Sequence, residues 1–288
     1  MQWFGGKESD NVEEGSSRGG GRGLAFGGGI VGVIGVVFYL FTGINPSSLI
    51  GNGGNQMGAS DQQNTKVTHA RTKEEKLASM TFRGTEEVWD SLFRAAGKTY
   101  QKPTLHFFSG GVDAGCGFAS SATGPFYCPQ DEKVYIDLSF YNELSQRFGA
   151  PGEFAQAYVI AHEVGHHVQN LLGTSQKVEN AESQAGSEAE RNKYSVALEL
   201  QADFYAGIWA HYENLYHQNG LVLDTDDIES ALNAAHQIGD DNLQKQAGQS
   251  VQPDSFTHGT SAQRMYWFKR GFETGDLSKG NTFREMGL

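Results

Sequence analysis

The amino-acid sequence predicts a mainly helical α+β domain behind one N-terminal transmembrane helix. Leu24–Ile44 runs without a single charge for the length of a bilayer-spanning helix, about 20 residues. Thr104–Phe108 and Lys133–Leu138 carry the β-branched and aromatic residues of short strands. Helical spacing governs the stretch from Phe154 to Asn170 and a second one about Glu199.

The chain has 288 residues, room for one large domain and a sizeable core. Its 22 Lys+Arg stand against 34 Asp+Glu, a formal charge of −12. With that charge and no basic run, nucleic acid is excluded as a partner. Glycine is frequent, but its excess falls before residue 61, so the remainder reads as an ordinary globular chain.

Residues 1–23 are polar, glycine-rich and mixed in charge, and are expected to form a disordered tail. The following apolar stretch, residues 24–44, is longer than a signal-peptide core of about 7–15 residues. It is also apolar all round, unlike an amphipathic core helix. An uncleaved membrane anchor is therefore expected. Gly28 and Gly32 form a small-xxx-small pair that hints at helix pairing, hence a homo-oligomer through the anchor. Lys7, Arg18 and Arg22 precede the stretch, and no Lys or Arg follows until Lys66. The positive-inside rule then puts the N-terminus in the cytoplasm and the rest outside the inner membrane.

Residues 45–66 read as a flexible tether and residues 67–288 as the folded domain. Thr85-Glu86-Glu87 resembles a helix start, with Val88, Trp89, Leu92, Phe93 and Ala96 on one apolar face. Between the two strand candidates lie the only cysteines, Cys116 and Cys128, placed to form a disulfide in an exported domain. The strand near Val134–Leu138 is a candidate edge for pairing with an extended substrate.

The chemistry centres on His162-Glu163-Val164-Gly165-His166. Residues four apart share a helix face, so His162 and His166 can direct their imidazoles at one metal ion, and Glu163 is placed to act as a base. Two imidazoles suit zinc, which at a catalytic site takes three protein ligands. A third histidine in the extended motif would put a glycine and a histidine, in that order, where Gln169 and Leu172 stand, which excludes it. A glutamate from a second helix is the alternative. In Glu199-Leu200-Gln201-Ala202-Asp203, Glu199 would bind zinc and Asp203 would accept the other ring N–H of a ligand histidine. Glu179, Glu182, Glu188 and Glu190 are rivals in a polar stretch, 174–193, that reads as a solvated connection. His167 lies about 100° round the helix from His166 and is expected beside the ligands or facing solvent. His258, before a helix carrying Trp267 and Phe268, is either a capping-loop residue or part of the cleft, where it would stabilise the oxyanion.

GPFYCP, VYIDLSF, AQAYVIAHEVGHHVQ, LELQADFYAG and FTHGTSAQR together resemble the bacterial putative neutral zinc metallopeptidase family, over essentially the whole chain. The resemblance implies a Glu-zincin fold with His162 and His166 as zinc ligands and Glu163 as general base. The spacing from His258 to Arg264 is also similar to the His-Pro-x-x-x-x-Arg element of membrane CAAX and heat-shock metalloproteases, with Gly259 in place of proline. Hydrolysis of peptide bonds in a protein or peptide substrate is the activity expected. The rivals are a metal-binding envelope protein without proteolytic activity and a zinc hydrolase of another bond. An intact Glu163 argues against the first, since a structural metal site has no use for a base.

Overall fold

A computed structural model describes residues 6–15, 65–66, 71–216 and 222–288. The predicted anchor, residues 24–44 with Gly28 and Gly32, lies outside them, as does most of the tether. Among the described residues no helix is long and apolar enough to cross a membrane.

The fold is mainly helical, with one five-stranded sheet. Its strands are β1 (Val12–Glu14), β2 (Thr65–Lys66), β3 (Thr104–Phe108), β6 (Phe126–Cys128) and β7 (Lys133–Asp137), in the order β2-β1-β3-β7-β6. β1, β3 and β7 are parallel; β2 and β6 run antiparallel to their neighbours. A separate hairpin joins β4 (Gly111–Ala114) to β5 (Gly117–Ser120). Successive side chains of a strand face opposite ways. Leu105, Phe107, Val134 and Ile136 turn to the helices and enter the main core, whereas Phe108, Phe126, Cys128 and Tyr135 cluster with Val112 and Ala119 of the hairpin. The Cys116–Cys128 disulfide ties the hairpin turn to β6, as the sequence predicts.

Both predicted strands are present, but β7 lies inside the sheet, between β3 and β6. The outermost strand on that side is β6, which corrects the expected substrate edge. A larger correction concerns the N-terminus. Residues 12–14, expected in a disordered tail, form β1, and residues 65–66 of the tether form β2. The docking is specific. Leu105 N–H donates to Asn11 O (2.9 Å) and Gly15 N–H to Phe107 O (3.0 Å). The fully buried Glu86 carboxylate accepts from Ser9 Oγ (3.0 Å) and Asn11 Nδ2 (2.6 Å).

The first helix, α1 (Lys73–Ala95), starts twelve residues before the predicted Thr85. Thr72 and Glu75 form its capping box, while Thr85 bonds its hydroxyl back to Phe82 O (2.7 Å) in the helix interior. The remaining helices are α2 (Phe140–Gln146), α3 (Glu153–Leu171), α4 (Thr174–Gln184), α5 (Glu188–Tyr216), α6 (Thr225–Gln237), α7 (Asp240–Gln246), α8 (Ser261–Thr274) and α9 (Thr282–Glu285). The stretch 174–193 is thus helical over most of its length, although only Val178 of α4 is buried. Pro151 precedes α3 and its Gly152 cap. α3 is buried along most of its length and lies between the sheet, α1, α5 and α6.

Candidate metal centre

α3 carries His162, Glu163 and His166, and α5 carries Glu199 and Asp203. A Cβ on Gly165 would stand 3.0 Å from the carbonyl oxygen of Ala202 and 3.1 Å from its Cα. Glycine on one helix and alanine on the other therefore let the backbones meet, and this crossing places both acids of α5 beside the histidines. All five side chains are buried.

His162 Nε2 lies 3.1 Å from one oxygen of Glu199, and His166 Nε2 lies 3.4 Å from the other. Ligand atoms of these three residues all fall within 4.8 Å of one another. The opposite ring nitrogens are engaged elsewhere. His162 Nδ1 meets Asp203 Oδ1 at 2.8 Å and His166 Nδ1 meets Gln169 Oε1 at 2.9 Å. Both acceptors take an Nδ1 proton, which leaves the two Nε2 lone pairs directed at Glu199. Tetrahedral ligands about 2.1 Å from zinc stand about 3.4 Å apart, so this donor set fits a zinc ion. Burial opposes a charge on Glu199, but His166, His258 and His162 hold its carboxyl well below the usual range. The glutamates at 179, 182, 188 and 190 take no part in the cluster.

Glu163 points into the same site. Burial raises its carboxyl above the ordinary value, against the two histidines, and Glu199 pushes the same way as burial. The backbone N–H of Tyr127, in β6, favours the ionised form. The general-base candidate and the outermost strand are thus in direct contact.

Behind His162 stands a network that the sequence reading assigned only in part. Asp203 accepts from Arg264 Nε (2.8 Å) and Nη2 (3.0 Å) as well as from the Tyr158 hydroxyl. Arg264 is fully buried in α8, and with His162 it holds Asp203 down to about 2 against the cost of burial. Two donors from one planar guanidinium fix the carboxylate in place, and the carboxylate in turn fixes the ring of His162.

His258 is buried and near enough to Glu199 for its charge to favour the ionised carboxylate. Asp240, which sequence reasoning missed, holds it there. One oxygen of Asp240 accepts the backbone N–H groups of Thr257 (2.9 Å), His258 (2.7 Å) and Gly259 (2.9 Å). The other lies 3.3 Å from His258 Nδ1. Burial works against a charged His258, but the carboxylates of Asp240 and Glu199 raise its basicity overall. Gly259 has φ +94°, a value closed to proline, whose ring fixes φ near −65°. The loop therefore differs in backbone from the His-Pro element, although Arg264 reaches Asp203 behind His162.

His167 is not a ligand and does not face solvent. It is fully buried, between the Tyr127 hydroxyl (2.9 Å) and Gln101 O (2.6 Å). His106, His211 and His236 take no part in the cluster; His69 and His217 are outside the described residues.

The profile of the family described as "Putative neutral zinc metallopeptidase" matches residues 1–283. The chain is similar to "Uncharacterized protein YpfJ" of Escherichia coli (strain K12), 48% identical over 98% of this chain and 99% of that one. It is also similar to an uncharacterized protein, Rv2575, of Mycobacterium tuberculosis (strain ATCC 25618 / H37Rv), 43% identical over 70% of this chain and 68% of that one. No solved structure matches it.

Proposed function

Because the chain belongs to the putative neutral zinc metallopeptidase family, we propose that it is a zincin-type peptidase that hydrolyses peptide bonds at the centre formed by His162, His166 and Glu199. The observation that carries this reading is the pair of Nε2 atoms converging on Glu199 with Glu163 adjacent. Zinc, when bound, supplies a Lewis acid that polarises the scissile carbonyl and lowers the pKa of water. Glu163 takes the proton of the attacking water and hands it to the leaving amine. The upward push of burial on its carboxyl suits a group that must hold that proton between the two steps.

His258, held by Asp240, donates to the oxyanion formed at the carbonyl. An extended substrate adds to the outer edge of β6, whose Tyr127 N–H already faces Glu163. The Cys116–Cys128 bridge supports a domain that works in an oxidising compartment outside the cytoplasm. Attachment to a membrane rests on residues 24–44 alone.

The test separates the two glutamates. Glu163→Gln is expected to keep about one equivalent of zinc and to lose hydrolysis of casein or a peptide. Glu199→Ala is expected to lose zinc during dialysis against a mild chelator. If the wild type binds no zinc, the proposal fails; if Glu199→Ala keeps both metal and activity, the third ligand is another residue.

A further inference from the structure

The charge pattern of the sequence puts residues 1–23 on the cytoplasmic side of a membrane and the metal-binding domain on the other. The sheet joins what that pattern separates. β1 lies between β2 and β3, with Val12, Glu13 and Glu14 in register with Leu105, His106 and Phe107. On its other side Glu13 and Glu14 pair with Lys66 and Thr65. Side chains reinforce the ladder. Glu13 meets Lys133 of β7 and His106 of β3, and Glu8 pairs with Arg71. Ser9 N–H donates to Ser79 O (3.2 Å) of α1. Val12 joins the main core, and Glu86 takes two of its hydrogen bonds from Ser9 and Asn11. A β-strand hydrogen-bonded on both edges to the domain stands in the same compartment as that domain.

We propose that residues 6–15 and the metal centre face the same side of the membrane. Both ends of the segment between β1 and β2 emerge side by side, at the paired residues Glu14 and Thr65. The positive-inside rule reads flanking charge alone, and Lys7 and Arg18 flank a strand that the rule does not see. This inference does not depend on the identity of the metal or the reaction.

Single cysteines placed in the full-length chain test it. Asp10→Cys reports on the N-terminal segment and Lys177→Cys on the domain; both positions are exposed. A membrane-impermeant maleimide is applied to intact spheroplasts and, separately, to inverted membrane vesicles, and the wild-type signal is subtracted. Both cysteines are expected to label from the same preparation, to within about twofold, whichever preparation that is. Labelling of both only after the membrane is broken open places them together and supports the proposal equally. Labelling of Asp10→Cys in inverted vesicles and of Lys177→Cys in spheroplasts overturns it. A disulfide cross-link between Glu14→Cys and Thr65→Cys, formed in isolated membranes, checks that β1 is docked in the same molecules; if the pair does not cross-link while the domain binds zinc, the shared sheet is absent and the proposal falls.

Discussion

His167 sits one residue beyond His166 of the candidate metal site, yet its environment makes it a structural residue with a pH signature. Burial lowers its pKa from 6.5 to about 4, and the carbonyl of Gln101 offsets that only in part. Below pH 6.5 the unfolded chain takes up a proton that the folded chain refuses until about pH 4. The stabilisation is therefore full above pH 6.5 and falls by up to about 3 kcal/mol as the pH drops to 4. Urea midpoints at about pH 7 and about pH 5 should show this loss, and His167→Asn should flatten it. A slope unchanged in the variant would assign the acid sensitivity to other groups. The pair Asp240 and His258 is tested by turnover. A donor at developing charge is worth about 10²–10³ in rate, so His258→Ala should lose that much while retaining its zinc. Asp240→Ala should cost a similar factor, and the double variant little more, because the two act as one device. Near-normal turnover in His258→Ala would return the residue to a capping role.

At the level of elements, the crossing of α3 and α5 decides whether His162 and His166 meet Glu199. Gly165→Val puts methyl groups against the backbone at Ala202, and overpacking of this kind costs about 1–3 kcal/mol. A lower thermal midpoint is expected together with at least about tenfold weaker zinc retention, since Glu199 and Asp203 move as α5 is pushed away. Loss of stability with undiminished zinc affinity would mean that the crossing is not what sets the site. The sequence revealed this part well. His162, His166, Glu199 and Asp203 obey helical spacing, which is local, and the small residues at 165 and 202 are visible in the string. Asp240 was hidden for the opposite reason. It lies 18 residues before His258 and on a different element, and its role is to accept three backbone N–H groups, a task that leaves no spacing pattern. The start of α1 was missed because Thr85 looks like a cap; only the fold shows its hydroxyl turned back into the helix.

For the whole molecule, the disulfide and the N-terminal strand are two of the long-range ties. The bridge closes a loop of 12 residues' separation, worth about 3 kcal/mol in the chain-entropy model. It fastens a peripheral hairpin, so Cys116→Ser with Cys128→Ser should lower the denaturation midpoint and leave zinc content near one equivalent. Loss of zinc on removing the bridge would show that the hairpin supports the centre directly. β1 escaped the sequence reading because three residues in a glycine-rich, acidic stretch carry no strand pattern of their own. Their partners lie about ninety residues further on, as His106 does from Glu13, and parallel pairing over that distance is a property of the folded chain.

The direct pairing of Glu14 with Thr65 has a practical use in protein production. A fragment beginning at residue 67, the obvious soluble product to express, would leave β3 with a bare edge, and bare edges invite aggregation. Fusing Gly15 to Asn64 would instead delete residues 16–63 and close β1 onto β2 through a two-residue Gly-Asn turn, one of the favoured hairpin connections. Such a shortened chain keeps every strand of the sheet and dispenses with the apolar stretch. It is expected to stay monodisperse on gel filtration where the fragment from residue 67 does not, which would make it the form to crystallise.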